Sequence, residues 1–167
     1  MNNPKLILLT DYGTGDAAFT EVSLRLHSLI PSLTILPQSV PAFSTINTGF
    51  WLSQFALTEN LSDTYIFSNT APRIKDAHAQ KNNKGESLMY AKLKNGFEIM
   101  AVGSGYTFSF IKNEIKEFCR VSVENEGSQF RSRDKYPFAV AKMIAKNLSY
   151  KGDVQSIDFI PDYPKET

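Results

Sequence analysis

Short apolar runs alternate with stretches of helical periodicity along much of the chain. The runs predict buried strands at residues 6–9, 33–36 and 64–67. Apolar residues spaced three and four apart predict helices over 16–30, 45–58 and 134–148. Because strands that alternate with helices are typical of α/β proteins, we expect a single domain, residues 1–167, with a mostly parallel central sheet and helices on both faces.

The second half of the chain gives mixed signals. Residues 88–92 and 98–102 flank Lys94-Asn95-Gly96 and predict a β-hairpin. Further along, the pattern predicts a helix over 106–115 and a strand over 117–123. Residues 38–41 and 68–73 are expected to be loops, and residues 151–167 an extended tail with two prolines and no clear period.

Composition excludes several classes of protein. The chain has 167 residues and a net charge of +1 without a long basic block, so it favours neither nucleic acid nor an acidic membrane as a partner. No apolar run approaches a membrane span, and Asn2 and Asn3 precede the first strand without a leader pattern, so a cytoplasmic location is the default expectation. The single cysteine, Cys119, has no partner for a disulfide or for metal-ligand spacing, and we expect an inert thiol and no bound metal.

The end of the first predicted strand is the best candidate site. It reads Thr10-Asp11-Tyr12-Gly13-Thr14-Gly15-Asp16. Glycines at the carboxyl end of such a strand let the backbone approach a ligand, and a carboxylate can hold ribose hydroxyls. The alternative interpretation is a tight turn in which Asp16 caps the next helix. If the sheet is parallel, the loops with Asn69 and Ser104 lie beside Asp11 and form one pocket with it.

Five segments carry a family resemblance. They are Thr10-Asp11-Tyr12-Gly13 with Asp16, Gln38-Ser39-Val40-Pro41, Asn69-Thr70-Ala71-Pro72-Arg73, Val102-Gly103-Ser104-Gly105, and Phe130-Arg131-Ser132-Arg133-Asp134 with Pro137. In this order, over residues 5–164, they resemble the N-terminal domain of the S-adenosylmethionine hydroxide adenosyltransferases, the family that includes the fluorinase and the chlorinase. The resemblance implies an adenosyl ligand, S-adenosylmethionine or adenosine, held by Asp11, Tyr12, Gly13, Asp16, Asn69 and Ser104. It implies no cofactor.

The catalytic positions depart from the family. Its hydrolases use an Asp-Arg-His set to orient a water or hydroxide that attacks the ribose C5′ of S-adenosylmethionine, which gives adenosine and methionine. Asn69 stands at the Asp position, Arg131 at the His position, and Asp76 where the Arg is expected, although Arg73 and Lys75 are near. An amide does not accept a proton as a carboxylate does, and a guanidinium stays charged. Gly103 also replaces an Asp of the family.

Two hypotheses follow from these matches and departures. The favoured one is a divergent adenosyl-binding domain with little or no hydrolase activity. The alternative is an active S-adenosylmethionine-cleaving enzyme that works with altered residues or with a C-terminal barrel supplied by another chain, since this sequence stops about where the family's barrel begins. A generic dinucleotide binder fits less well, because Gly13 and Gly15 do not complete the Gly-x-Gly-x-x-Gly fingerprint.

The helix predicted over 45–58 suggests association. It carries Phe50, Trp51, Leu52, Phe55 and Leu57, more apolar surface than one face of a sheet needs. Members of the similar family form trimers, so we expect a homo-oligomer, with a trimer as the first expectation. Ordinary core packing is the alternative.

Overall fold

The structure, a computed structural model, describes residues 3–58, 62–70, 86–123 and 131–164. The strands are β1 (Lys5–Thr10), β2 (Thr34–Ser39), β3 (Thr64–Asn69), β4 (Leu88–Leu93), β5 (Glu98–Val102), β6 (Ile115–Val121) and β7 (Lys151–Val154). The α-helices are α1 (Ala17–Leu29), α2 (Thr45–Thr58), α3 (Arg131–Asp134) and α4 (Tyr136–Ile144). Short 3₁₀ helices lie at Ser109–Glu114, Leu148–Tyr150 and Ile157–Phe159.

The seven strands form one mixed sheet in the order β2-β1-β3-β5-β4-β6-β7. The three pairings from β2 to β5 are parallel, and the three from β5 to β7 are antiparallel. The expectation of a mostly parallel sheet is therefore wrong. The physical reason is the connection: β4 returns directly into β5 through the tight turn at residues 94–97, and a short turn of this kind can only join antiparallel strands.

Helices cover both faces of the sheet, as the alternation predicts. Neighbouring residues of β1 point to opposite sides, so Leu8 packs with Val22 of α1 while Leu9 packs with Leu52 of α2. The first face is completed by α4, which lies against α1, and the second by the 3₁₀ helix at Ser109–Glu114, which lies against α2. The apolar side chains on each side form a separate core cluster.

The first two helices each begin directly after a residue whose side chain accepts a backbone N–H of the first turn. Asp16 is the N-cap of α1, and its Oδ1 accepts the backbone N–H of Ala18 at 2.8 Å. The predicted bounds of α2 are confirmed, and Ser44 before it accepts the N–H of Asn47 at 3.3 Å. The late helix is shorter than the predicted 134–148, because α4 ends at Ile144 and Lys146 takes a left-handed conformation with φ 61°.

Three segments expected to be irregular are strand. Gln38 and Ser39 extend β2, Ser68 and Asn69 extend β3, and residues 151–154 of the expected tail pair with β6 as β7. The helix predicted over 106–115 is a 3₁₀ helix at Ser109–Glu114. The polar stretch at 75–85 lies outside the described residues.

Cys119 is buried in β6 at 2 % exposure. Burial raises the pKa of its thiol, with a further contribution from the charge of Glu117. This disfavours the thiolate and agrees with an inert cysteine. No helix within the described residues is long and apolar enough to span a bilayer, and the same residues hold no group of three His, Cys, Asp or Glu side chains placed to bind a metal ion.

A group of charged and phenolic side chains lies over β4, β5 and β6 on the α4 side, and we call it the charged cluster. Its members are Tyr90, Glu98, Glu117, Lys146 and Lys151. The Tyr90 hydroxyl donates to Glu98 Oε1 at 2.6 Å, and Glu98 also pairs with Lys146. Lys151 pairs with Glu117 at 2.6 Å and lies 4.7 Å from the centroid of the Tyr90 ring. Burial, followed by the hydrogen bond to Glu98, raises the pKa of Tyr90.

Candidate functional site

The register of the parallel strands places three polar strand ends side by side. Thr10 of β1 is paired with Ser39 of β2 and with Asn69 of β3. Strand β5 runs parallel to β3 and ends at Val102, one residue before Gly103. We call the residues at these ends, 10–13, 39–45, 69–70 and 103–107, the carboxyl edge. Asp11 and Asn69 therefore follow neighbouring strand ends on one edge of the sheet, where α/β proteins bind their ligands.

Asp11 is half-buried and holds the loop that leads into α2. Its Oδ2 accepts the backbone N–H of Phe43 at 3.0 Å. Phe43 has φ 62°, a conformation that a bulky side chain adopts only where its surroundings fix it. Within the described residues, the other carboxylate oxygen, Oδ1, accepts no hydrogen bond. The Asp11 carboxylate thus combines a fixed position with one free acceptor oxygen at the carboxyl edge.

The rest of the 10–16 loop is organised by short polar contacts. Thr10 Oγ1 donates to the Tyr12 carbonyl at 2.8 Å, and Ser39 Oγ donates to the same oxygen at 3.5 Å. A Cβ added to Gly13 would lie 3.8 Å from Ser39 Oγ, an ordinary contact, so packing within the chain does not require glycine there. The Asp16 carboxylate is exposed and serves α1 as its cap, which is the alternative interpretation of this loop.

Ser104 has a structural role in this chain. Its side chain is buried at 3 % exposure, and its hydroxyl donates to the carbonyl of Thr70 at 2.5 Å. Asn69, next to Thr70, is half-buried. The contact fixes the end of β3 to the loop after β5, so Ser104 positions the neighbours of Asn69.

Three threonines that the sequence analysis did not single out hold this edge together. Thr48 Oγ1 donates to Thr70 Oγ1 at 2.9 Å, and Thr45 Oγ1 accepts the N–H of Tyr106 at 3.1 Å. Gly105 has φ 47°, and a Cβ there would lie 2.4 Å from Thr45 Oγ1. The available signal was that Thr45 and Thr48 lie one turn apart at the start of the predicted helix.

A cavity of about 380 Å³ opens beside the loop of Gly103 and Gly105. Its floor is apolar and includes Met89, Phe108 and Phe118, all less than a tenth exposed. Its polar lining includes Glu86, Arg120 and Gln155. An apolar cavity with a few polar groups is the usual form of a small-molecule site.

Helix α3, which carries the last of the five family-like segments, lies against α1. Arg133 binds both oxygens of Asp134, at 2.7 and 3.0 Å, and reaches Glu21 of α1 at 3.0 Å. The hydrogen bonds to Asp134 and then to Glu21 raise the pKa of the Arg133 guanidinium, so it remains a cation. Arg131 begins α3, but its side chain lies outside the described residues, as do Phe130, Arg73, Lys75 and Asp76.

The geometry defines an α/β domain with a polar carboxyl edge, and solved structures share this fold. An uncharacterized conserved protein from Thermotoga maritima matches 97% of this chain with a TM-score of 0.73 and 17% identity. A conserved hypothetical protein from Thermus thermophilus matches 96% of the chain with a TM-score of 0.65 and 15% identity. The chain spans 61% and 62% of their lengths. No protein-family model matches the chain, and no curated protein matches it.

Proposed function

We propose that this chain binds an adenosyl compound, S-adenosylmethionine or adenosine, at the carboxyl edge and has little or no hydrolase activity. The observation that carries the proposal is the Asp11 carboxylate. The Phe43 N–H fixes one of its oxygens, and the other is available as an acceptor. In the family that the sequence resembles, the counterpart of Asp11 holds the ribose 2′ and 3′ hydroxyls. A fixed carboxylate suits neighbouring hydroxyls, because each of them donates a hydrogen bond.

The residues near Asp11, and those at the family's catalytic positions, support binding of an adenosyl compound more than its hydrolysis. Asn69, which stands where the family has an Asp, offers an amide that does not act as a base at neutral pH. Ser104 is committed to the Thr70 carbonyl. Arg131 stands at the family's His position and cannot give up its proton. A displacement at C5′ would therefore depend on positioning and desolvation alone.

Calorimetric titration with adenosine and with S-adenosylmethionine tests the proposal. Asp11→Asn keeps the size of the side chain and an oxygen for the Phe43 N–H, but the amide replaces the second acceptor oxygen. We expect the affinity for adenosine to fall about tenfold or more, because a ribose hydroxyl loses a charged acceptor. The matched control is Asp153→Asn, an exposed aspartate on β7, which should leave affinity unchanged.

Chromatography of the same mixtures checks for hydrolysis. Release of adenosine from S-adenosylmethionine on the order of once per second or faster, as is ordinary for an enzyme, would favour the alternative of an active hydrolase. Absence of binding at millimolar ligand, or equal affinity in the Asp11→Asn variant, would reject the adenosyl proposal.

Self-association belongs to the same proposal. Ile46, Phe50, Trp51 and Leu57 on α2 are 43, 44, 36 and 42 % exposed, so this face of the helix is incompletely covered by its own chain. We expect a homo-oligomer, with a trimer as the first expectation. Sedimentation at micromolar concentration measures it, and a monomer across that range would contradict it.

A further inference from the structure

A second cleft lies on the α1 side of the sheet and shares no lining residue with the carboxyl edge. We call it the α1–α4 cleft. Its volume is about 780 Å³, within the range of about 300–1,000 Å³ usual for small-molecule sites. Its lining includes Arg25, Asp134, Lys135, Phe138 and Tyr150.

One wall of the cleft is aromatic and incompletely covered. Phe138 of α4 is 46 % exposed although it lies on a helix that otherwise packs against the sheet. Its ring lies 6.1 Å from the ring of Tyr150, in a tilted arrangement. Two rings beside a concave surface offer an apolar body large contact area at little entropic cost, because aromatic side chains have few rotatable bonds.

The rim of the cleft is cationic. Arg25 of α1 is exposed, and within the described part of the chain its guanidinium has no ion pair or hydrogen bond. Lys135 adds a second positive charge, and Lys142 lies 5.2 Å from the Phe138 ring centroid. The carboxylate in the lining, Asp134, is bound at both oxygens by Arg133. The described lining therefore offers the Arg25 guanidinium, while its carboxylate is already occupied by Arg133.

We propose that the α1–α4 cleft binds a small amphiphilic anion with an aromatic or alkyl body and a carboxylate or phosphate head. The body lies against Phe138 and Tyr150, and the head meets Arg25. A free guanidinium suits this role because it pairs with either head group through two parallel hydrogen bonds. The site is independent of the adenosyl proposal, so either can fail while the other stands.

Two fluorescent probes with the same ring body test the assignment. Anilinonaphthalene sulfonate carries an anionic head, whereas N-phenylnaphthylamine is neutral. We expect the folded protein to bind the anionic probe more tightly. Equal affinity for the two probes would overturn the proposal. Displacement of the anionic probe by octanoate or by octyl phosphate supports the site and identifies the preferred head group, and displacement by neither would overturn it.

Substitutions inside and outside the α1–α4 cleft show whether the anionic probe binds there. Arg25→Gln should weaken the anionic probe about fivefold and leave the neutral one unchanged, because only the charged head uses the guanidinium. Phe138→Ala should weaken both probes. The matched controls are Arg120→Gln and Phe159→Ala, an exposed arginine and a phenylalanine 80 % exposed that line the other cavity. Near-ultraviolet circular dichroism establishes that each variant is folded. Unchanged affinity in Arg25→Gln, or an equal loss in Arg120→Gln, would overturn the proposal.

Discussion

The carboxyl edge and the charged cluster use polar side chains in opposite ways. At the carboxyl edge, polar side chains bind mainly backbone groups: Asp11 accepts from the Phe43 N–H, and Ser104 donates to the Thr70 carbonyl. In the charged cluster, side chains bind one another, as Tyr90 and Lys146 both do with Glu98. The first arrangement fixes loops, and Asp11 keeps an acceptor oxygen that a ligand can use. The second satisfies its own charges and leaves little for a ligand.

This difference explains why many charges do not by themselves mark a site. The charged cluster has more ionisable groups than the carboxyl edge, and its Tyr90 has a strongly raised pKa. Structural networks also shift pKa values, however, so a shift identifies a site only together with an unsatisfied group in a cleft. The charged cluster should therefore affect the free energy of unfolding, and the carboxyl edge should affect binding.

The largest expected effect is in the charged cluster. Glu98→Ala removes a carboxylate whose side chain is only 14 % exposed, and with it the acceptor of the buried Tyr90 hydroxyl and the ion-pair partner of Lys146. We expect the free energy of unfolding in urea to fall by about 3 kcal/mol. Glu117→Ala is the control, because that carboxylate is 40 % exposed and its loss should cost about 1 kcal/mol or less. A smaller loss in Glu98→Ala than in Glu117→Ala would break the comparison.

The next effect belongs to the backbone of the carboxyl edge. In Gly105→Ala the new methyl group would lie 2.4 Å from Thr45 Oγ1 on a residue with φ 47°. We expect this to cost about 2 kcal/mol of unfolding free energy. Gly15→Ala meets nothing within 4 Å, and at that exposed position it should change stability by no more than about 0.5 kcal/mol. Equal unfolding midpoints for the two variants would show that the Gly105 turn is not constrained.

The smallest effect depends on pH. The folded-state pKa of Tyr90 lies above its ordinary value of 10.0, so the unfolded chain releases this proton first as pH rises. The stabilisation is complete below pH 10 and is lost above it. Tyr90→Phe should cost about 1 kcal/mol at neutral pH, and the wild-type advantage should shrink by up to about 1.4 kcal/mol per pH unit above 10. Urea titrations of both proteins measure it, and a difference that stays constant with pH would contradict the assignment.

Sequence patterning predicted the elements that have strong apolar periodicity. The bounds of α2 were predicted to the residue, and β1, α1 and the β4–β5 hairpin were also predicted because periodicity, caps and turn residues agree there. β7 was missed since Lys151-Gly152-Asp153-Val154 is short and mostly exposed. Only its pairing with β6 makes it a strand, and such pairing leaves no local pattern in the sequence.

The relative direction of several strands and part of the site could not be predicted, because both depend on contacts between segments that are distant in the sequence. The predicted hairpin accounts for one antiparallel pairing, but nothing local indicates that β4 also pairs with β6 or that β7 pairs with β6, and these three pairings make half of the sheet antiparallel. Asp11 and Asn69 were placed on one edge by the strand-end argument, which needs only the parallel half. The structural role of Ser104 depends on its contact with Thr70, 34 positions away in the sequence. The supporting role of Thr45 depends on its contact with Tyr106, which is 61 positions away.

The most direct test of the central claim maps adenosine onto the folded chain by amide chemical shifts. We expect adenosine to move the resonances of Asp11, Phe43, Asn69 and Gly105 and to leave those of Tyr90 and Glu98 unchanged. Phe43 is the most informative, because its N–H donates to the carboxylate that would hold the ribose. Shifts confined to the charged cluster, or no shifts at millimolar adenosine, would contradict the account.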